Sequence, residues 1–401
     1  MKSKPFLLFL KSALALASLV SLVVASRSAV RDFGDFRYNS AHVGSIDFNA
    51  FLVSARYLWN GINIYDPAIY QKYKLDMPYL PNSFVFFFPF LPLSLSLGRW
   101  IWLALNLLFT VLIAREISDS FLERKHLFLL TTLLICSAPW GNMIHFGHCT
   151  LWSFYFFLLA LRWDRENRPL LSGLAIALCL LKYALTGPML LYFLVYRRSW
   201  KNVAVAAGIH GIVFGVFCLY LKLSPWDLFM GPLRLAKDIN ASSYGYLDLY
   251  MFWFRIMGRP MPYLYLLSAL LVAGAWVWVL YQQNKQSRKD DLGMLALTAM
   301  AVLTILYHNF YDYVGVLFPL AWFLEKFPSQ RRWAVLAIGL PLFWVFYVSQ
   351  HYFEFFPHME GLMAFMKSDG YLIFLSLLWY LGLGLLWFQL KTTGAEKPLA
   401  A

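Results

Sequence analysis

Long apolar runs recur along almost the whole chain, and they constrain its fold more than any other feature. Polar breaks separate the runs at intervals close to the ~20 residues that a helix needs to cross a bilayer. Hydrophobic residues make up 60% of the 401-residue sequence and charged residues only 14%. Because helices satisfy their own backbone groups in hydrocarbon, the pattern predicts an all-α integral membrane protein, a polytopic helical bundle. We expect a single membrane domain over residues 1–401.

The net charge of +13 is carried by short basic clusters between the apolar runs. Such clusters orient a membrane protein, because lysine and arginine accumulate in cytoplasmic loops. We therefore expect membrane lipid, and not nucleic acid, as a partner. The four cysteines lie within or beside apolar runs and show neither a CxxC motif nor metal-ligand spacing. The sequence thus predicts no metal site and no cofactor.

The basic clusters also determine the expected number of crossings. Placing all of them in the cytoplasm requires an even number of crossings between each pair, with both termini inside. This predicts about twelve transmembrane helices, near residues 6–26, 100–115, 127–140, 149–161, 169–181, 184–196, 203–222, 263–282, 294–307, 313–325, 333–350 and 371–390. The first segment resembles a signal peptide as much as an anchor, and the many passes after it favour an uncleaved helix.

One apolar stretch, Asn82 to Leu97, does not fit this count. It contains two prolines, and a thirteenth pass would invert every later loop. We expect a re-entrant or interfacial segment within the first outer, periplasmic loop, residues 27–99. A shorter outer turn is expected from Lys182 to Pro188. A function that needs polar groups is expected on this outer face.

The first outer loop contains an ordered series of motifs. In chain order they are Ile46-Asp47-Phe48, Ala55-Arg56, Gly61, Tyr65-Asp66 and Pro78-Tyr79-Leu80-Pro81. The series resembles the opening of the polyprenyl-phosphate-sugar-dependent glycosyltransferases of family 87, membrane enzymes of the GT-C fold. In that family an Asp-Phe or Asp-Leu pair precedes an arginine segment, a glycine, a Tyr-Asp and a Tyr-x-Tyr-Pro-Pro.

The resemblance continues down the chain. Gly147-His148 occupies the place of a family Gly-Gln, and Gly173 with Lys182 matches a glycine-rich helix that ends in Lys-Pro. The segment from His308 to Asp312 is similar to the family's His and Tyr-Asp element. Two departures, Pro-Tyr-Leu-Pro-Asn for Tyr-Pro-Pro and histidine for glutamine at 148, bear on substrate identity.

The resemblance implies an inverting hexosyltransferase. Such an enzyme moves a sugar, most commonly mannose, from a polyprenyl-phosphate donor to a lipid-linked or cell-envelope glycan acceptor. The resemblance also implies the inner (plasma) membrane, an active site that faces the periplasm or exterior, and no covalent sugar–enzyme intermediate.

A transfer of this kind needs a carboxylate that takes the proton of the acceptor hydroxyl. From the residues alone, Asp47 is one of several loop carboxylates, with Asp35 and Asp66 as competitors. Asp66 directly precedes a proline and also fits a turn. The resemblance places the catalytic base at Asp47.

The leaving phosphate needs cations. Lys182 interrupts an apolar stretch, where a charge costs about 2.5–3.5 kcal/mol unless it meets a partner or water. The resemblance gives Lys182 a phosphate contact; the alternative is a lysine that extends to the interface from a helix end. Arg56 is a second candidate phosphate cation, with a structural salt bridge as the alternative.

Three further residues are candidates for substrate binding. His308 is expected to contact the donor phosphate with Asp312 orienting it, and a place in an interfacial aromatic belt is the alternative. His148 takes the position of the family's glutamine. Its spacing from His145 also fits a metal site, but no third ligand lies nearby in the sequence.

Two other classes of function remain open. In a transporter or lipid flippase, Lys182, His308 and Asp312 would line a translocation path, and polar groups would lie near the bilayer midplane. A structural membrane subunit would tolerate substitution of Asp47. The collection of informative residues in outer loops favours the glycosyltransferase.

Overall fold

The computed structural model describes residues 4–30, 46–73, 77–122, 127–240, 248–286, 290–306, 310–326 and 368–393. Every regular element within these ranges is a helix. The all-α class predicted from the apolar runs is therefore confirmed for this part of the chain.

The helices follow one another along the chain. Those before residue 150 are α1 Lys4–Val30, α2 Ile46–Trp59, α3 Pro67–Tyr73, α4 Pro81–Phe84, α5 Leu95–Phe121, α6 Leu127–Ile135 and α7 Ala138–Phe146. Those from residue 150 onward are α8 Thr150–Arg165, α9 Pro169–Cys179, α10 Tyr183–Leu191, α11 Trp200–Leu221, α12 Pro225–Asn240, α13 Leu249–Met257, α14 Pro262–Asn284, α15 Asp291–Ile305, α16 Leu317–Lys326 and α17 Asp369–Thr393. Short 3-10 segments occupy Val85–Phe90, Leu180–Lys182 and Phe310–Val316, and a π-helical segment occupies Tyr192–Arg197.

The chain divides into two compact units. The first unit comprises Met1–Ile113, Asn142–Thr186 and Lys201–Tyr244. The second unit comprises Ala114–Gly141, Gly187–Trp200 and Gly245–Ala401. The single membrane domain, with its first periplasmic loop over residues 27–99, stays a prediction.

Several helices are long and apolar enough to cross a membrane. Within the described ranges there are five: Leu95–Phe121, Pro169–Arg197, Trp200–Leu221, Pro262–Asn284 and Asp369–Leu390. The pair Leu127–Ile135 and Pro139–Phe146, bent by 62°, is a sixth candidate if it forms one span. The membrane character predicted from the sequence is thus supported. The predicted total of about twelve is not reached in these ranges, and the predicted pass at 333–350 lies outside them.

The predicted outer turn at Lys182 is wrong. Instead of two short passes, the structure has one candidate span of 29 residues, Pro169–Arg197. The chain only tightens into a 3-10 turn at Lys182, a local change that a helix accommodates without ending. The basic clusters at 162–168 and 197–201 flank opposite ends of this helix, so a single crossing would place them on opposite sides of the membrane.

Polar contacts in the first unit position the long helix. The Asn202 amide of α11 donates to Asp164 at 2.8 Å and to Ser172 at 2.9 Å. Gly173 permits the close approach of α9 and α11, since a Cβ atom there would lie 2.5 Å from the Cβ of Val205. The glycine noted in the sequence therefore serves helix packing.

The stretch Asn82 to Leu97 does not form a membrane-crossing helix. It contains the end of α4, the 3-10 segment Val85–Phe90, a turn, and the start of α5 at Leu95. None of these pieces before α5 approaches the ~20 residues that a crossing needs. Its re-entrant or interfacial placement in a membrane stays a prediction.

Aromatic packing attaches this segment to α2. Phe48 lies 5.6 Å from Phe90 and 5.1 Å from Trp102 between ring centroids, and Phe51 stacks on Phe87 at 4.7 Å. All five side chains are buried. Burial of each contributes ~1.5–3 kcal/mol or more, so the first turn of α2 is held firmly against α5.

Interhelical hydrogen bonds organise the second unit. Trp276 of α14 donates to Thr298 of α15 at 3.1 Å, and Trp379 of α17 donates to Thr304 of α15 at 2.8 Å. Such bonds between polar side chains hold helices together where lipid removes the hydrophobic driving force. They fix α15 between its two neighbours.

Candidate active site

Lys182 lies at the 3-10 turn of the long helix, and it is only 2% exposed. Its Nζ is 3.2 Å from Nε2 of His148. A charge buried in an apolar helix is costly unless it is paired or reaches a polar cavity. The structure therefore brings together two residues that the sequence singled out separately, and His148 supplies a polar partner for the lysine.

A tight turn holds His148 in place. Gly147 directly follows α7 and has φ +65°, a conformation that favours glycine. Trp102 of α5 donates from its indole nitrogen to the Gly147 carbonyl oxygen at 2.8 Å. This turn and the Trp102 hydrogen bond hold the backbone next to His148 in place, and the His148 side chain is 1% exposed.

Both ring nitrogens of His148 have hydrogen-bond partners. Nδ1 lies 2.7 Å from the Thr150 hydroxyl and accepts from the Thr150 backbone N–H at 3.2 Å. Nε2 lies 3.2 Å from both Lys182 Nζ and the Tyr79 hydroxyl. The ring is therefore held between Thr150 on one side and Lys182 and Tyr79 on the other.

Two other tyrosines anchor the backbone of the Pro78-Tyr79 motif. Tyr65 donates its hydroxyl to the Tyr79 carbonyl oxygen, and Tyr183 donates to the Pro78 carbonyl oxygen at 2.5 Å. Burial, reinforced by Tyr183, raises the pKa of Tyr65 well above its usual value. Tyr65 therefore stays a neutral donor, and Tyr79 is left with its side chain directed at His148. No individual role was predicted for Tyr79, although it lies in one of the motifs of the first outer loop.

Asp47 lies in the first turn of α2 and is partly exposed. Phe51 follows it by one helical turn and contacts the rings of Tyr79 at 4.9 Å and His148 at 6.1 Å. Residues four apart on a helix share a face, with Cβ atoms ~5–6 Å apart. The proposed base is therefore one turn away from a residue that touches the Lys182–His148–Tyr79 cluster.

Arg56 has a structural contact. Its side chain donates to the carbonyl oxygens of Leu91 at 3.3 Å and Leu93 at 3.5 Å, which ties the turn before α5 to α2. It follows Phe51 by five residues, roughly 140° further around the helix. The structure thus places Arg56 on a different face of α2 from the cluster.

The other candidates from the sequence fall elsewhere. Asp66 accepts from the Ala68 backbone nitrogen at 2.8 Å, which fits its expected turn role. Asp312 is buried in the second unit, 3% exposed, at the start of a 3-10 segment. Asp35 and His308 lie outside the described residues.

Sequence reasoning missed a buried arginine close to α2. Arg99 is 4% exposed, and its Nε donates to the Asn49 side chain at 2.9 Å. The signal was available, because Arg99 lies at the beginning of an apolar run where a charge is unusual. Its contact with the first turns of α2 adds to the support of the segment that carries Asp47.

Metal ligation was also considered at His145 and His148. Across the ranges that the structure describes, no three His, Cys, Asp or Glu side chains come together as a metal ion would require.

A comparison with known protein families matches the part of the chain that contains these residues. A family model described as glycosyltransferase family 87 matches residues 78–307, which is more than half of the chain. The chain belongs to glycosyltransferase family 87. Neither the curated proteins nor the solved structures give a match.

Membership of glycosyltransferase family 87 confirms the resemblance noted in the sequence. It establishes a glycosyltransferase, an enzyme that takes a sugar donor and an acceptor. The matched segment contains Tyr79, His148 and Lys182, whereas Asp47 precedes it and Asp312 follows it. The buried cluster is thus part of the segment by which the family is identified.

Proposed function

We propose that this family 87 enzyme transfers a hexose, expected to be mannose, from a polyprenyl-phosphate carrier to a lipid-linked or cell-envelope glycan. The transfer takes place at the outer face of the inner (plasma) membrane, which faces the periplasm or exterior. The observation that carries the proposal is the contact of the buried Lys182, on a candidate membrane helix, with the buried His148, which also contacts the half-buried Tyr79. A fixed cation beside hydrogen-bonding groups is what a leaving lipid phosphate requires.

Asp47 is the proposed general base. As the acceptor hydroxyl oxygen bonds to the anomeric carbon, its proton passes to the Asp47 carboxylate. The bond between the anomeric carbon and the phosphate oxygen breaks at the same time, and its electron pair leaves with the phosphate. Attack from the face opposite the leaving group inverts the anomeric configuration in a single displacement.

Lys182 is the proposed phosphate-binding cation. Its ammonium group donates to a phosphate oxygen and stabilises the charge that develops on the leaving group. Tyr79 and His148 orient Lys182 and offer further hydrogen bonds. His308 is proposed to contact the donor phosphate, with Asp312 orienting it. The carbonyl contacts of Arg56 favour a structural role.

The transporter hypothesis expected charged groups inside the spans, and Lys182 does lie within one. In the proposed enzyme the same lysine binds the phosphate of the lipid donor. Family membership supports transfer chemistry, and we therefore retain the enzyme as the proposal.

The proposal is tested with purified enzyme in lipid nanodiscs. Polyprenyl-phosphate donors that differ only in the sugar (mannose, glucose or galactose) are supplied with membrane lipid acceptors, and the product linkage is determined by NMR. We expect one sugar, mannose, to be transferred with inversion. Retention of configuration would contradict direct displacement, and transfer only from nucleotide sugars would contradict the lipid-phosphate donor.

A further inference from the structure

His148 stands where the family usually has glutamine, and the two side chains differ in one chemical property. A histidine ring can take up a proton near neutral pH, whereas the charge of a glutamine side chain does not change with pH. The proposed mechanism does not use this property. A titrating ring beside Lys182 is thus a feature of this chain rather than of its family.

Both ring nitrogens of His148 face a hydrogen-bond donor. The backbone N–H of Thr150 donates to Nδ1 at 3.2 Å, and Nζ of Lys182 lies 3.2 Å from Nε2. A neutral imidazole has one N–H and one lone pair, so it can accept at only one of its nitrogens. The neutral ring therefore cannot satisfy the Thr150 N–H and a charged Lys182 at the same time.

Each ring nitrogen also has a hydroxyl oxygen beside it. The Thr150 hydroxyl lies 2.7 Å from Nδ1, and the Tyr79 hydroxyl lies 3.2 Å from Nε2. Because hydroxyl oxygens accept as well as donate, a ring with N–H groups on both nitrogens finds an acceptor on each side. These partners suit a charged imidazolium, apart from the Thr150 N–H, which then loses its acceptor.

Lys182 is the group that opposes a charged ring. His148 is 1% exposed and Lys182 is 2% exposed, so little water screens two positive charges 3.2 Å apart. A like charge at this distance favours the neutral ring, and a nearby anion favours the charged ring. Without an anion, a single positive charge on the pair is therefore favoured. An anion at Lys182 removes this opposition and stabilises a second positive charge.

The proposed reaction raises the negative charge of the phosphate. The donor is a phosphodiester with one negative charge. Breaking its bond to the sugar leaves a monoester with nearly two negative charges at neutral pH, since the second pKa of such a phosphate is ~6. An imidazolium beside Lys182 matches this increase, and interactions that strengthen as the leaving group departs lower the barrier.

Other titratable groups lie on the elements around the ring. The ring contacts Phe51 of α2, Tyr79 and the 3-10 turn, and Trp102 of α5 contacts the neighbouring Gly147. In the described part of the chain, the titratable and charged residues within one helical turn of these contacts are Asp47, Tyr79, Arg99, His145, Cys149, Lys182 and Tyr183. Of this group, His145 is the residue whose type ordinarily titrates between pH 5 and 8, as that of His148 does. His145 is therefore the residue from which the test has to separate His148.

We propose that His148 takes up a proton when a lipid phosphate binds at Lys182 and donates from Nε2 to that phosphate, so that two cations hold it. The inference rests on the proposed function for the presence of the phosphate. Because the bound state then holds more protons than the free state, binding becomes stronger as the pH falls. With glutamine at position 148 this pH dependence is lost.

The test measures binding of farnesyl methyl phosphate to the full-length protein in detergent by titration calorimetry. This diester carries the single charge of the donor and does not titrate near neutral pH, so a proton taken up on binding is taken up by the protein. Titrations in two buffers that differ in ionisation enthalpy give the number of protons per ligand. His148→Gln keeps a polar side chain beside Lys182, and His145→Gln is the matched control, a half-buried histidine of α7.

We expect the wild type to take up a fraction of a proton and to bind the diester roughly five- to tenfold more tightly at about pH 6 than at about pH 8. His148→Gln should take up no proton, and its affinity should change by less than about twofold over this range. His145→Gln should behave as the wild type does. Proton uptake that persists in His148→Gln would overturn the inference, because Lys182, which this variant keeps, would then be the titrating group. Binding to the wild type without proton uptake would overturn it as well.

The two proposals fail separately. Proton-linked binding that His148→Gln abolishes, in a protein that transfers no sugar from a lipid phosphate, would retain the role of His148 and reject the proposed function. Sugar transfer by a protein that binds the diester without proton uptake, or does not bind it, would retain the function and reject the role of His148.

Discussion

Replacing Lys182 with methionine should make the protein more stable and less active at the same time. The residue is 2% exposed within a candidate span, where a charge costs ~2.5–3.5 kcal/mol. Methionine has a similar length and no charge. Loss of the contact to His148 forfeits ~1.5–3 kcal/mol, so the net change in stability lies between about −0.5 and +2 kcal/mol, and the middle of this range is a stabilisation. His148 keeps the Tyr79 hydroxyl at 3.2 Å and is not left without a partner at Nε2.

The effect on donor binding has the opposite sign. A charge-assisted hydrogen bond to phosphate contributes ~1.5–3 kcal/mol, so its loss should raise the donor KM roughly 10- to 150-fold. Both effects come from one property of Lys182: its charge is unfavourable in the empty protein and favourable with the phosphate bound.

Thermal unfolding in detergent and the donor KM for sugar transfer measure the two effects on the same preparation. Lys201→Met is the control, because Lys201 is exposed at the start of α11 and its replacement should change neither quantity. A variant of Lys182 that unfolds at a lower temperature while its KM is unchanged would refute the reasoning and leave the lysine a structural residue.

Substitutions at His148 and Gly173 test the site and its support. His148→Gln, which restores the residue usual in the family, should retain initial rates of transfer within about tenfold. His148→Leu should lose more activity, because it leaves the buried polar groups of Lys182 and Thr150 without this partner. Equal rates in the two variants would argue against a role for the cluster. Gly173→Ala should lower the free energy of unfolding by about 1–3 kcal/mol. Its Cβ would lie 2.5 Å from the Val205 Cβ and 2.7 Å from the Asn202 carbonyl oxygen. Gly208→Ala, whose Cβ would meet no atom within 4 Å, should leave the free energy of unfolding unchanged. Denaturation midpoints of the two glycine variants that coincide would show that α9 and α11 are not packed closely.

The all-α fold class was predictable because few backbone structures satisfy their own hydrogen bonds within lipid. Apolar runs of suitable length identify helices whatever their neighbours are, and four of the five described candidate spans lie near single predicted passes. The turn predicted at Lys182 follows from placing the basic clusters at 162–168 and 197–201 on one side of the membrane, and the continuous helix does not meet that condition. Only the three-dimensional contact with His148 shows how the helix keeps the charge of Lys182 inside.

The individual residues of the site were predictable from the sequence, but their contacts with one another were not. Lys182 and His148 were singled out by a charge in an apolar run and by a motif, 34 residues apart in sequence. Their contact depends on the Gly147 turn and on Trp102, which periodicity does not reveal. His210 of α11 was also missed: its ring nitrogens lie 2.9 Å from the Asn82 amide nitrogen and 2.9 Å from the Ala177 carbonyl oxygen, and a histidine within an apolar helix is itself a signal of a polar contact.

The most direct test of the proposed mechanism is transfer of radiolabelled mannose from polyprenyl-phosphate-mannose into membrane lipids by Asp47→Asn, with Asp66→Asn as the control. Asp66 is an exposed turn residue that competed with Asp47 in the sequence. We predict that Asp47→Asn loses transfer by at least ~100-fold while it still binds donor, and that Asp66→Asn keeps wild-type transfer. Equal transfer by wild type and Asp47→Asn would contradict the assignment of the base.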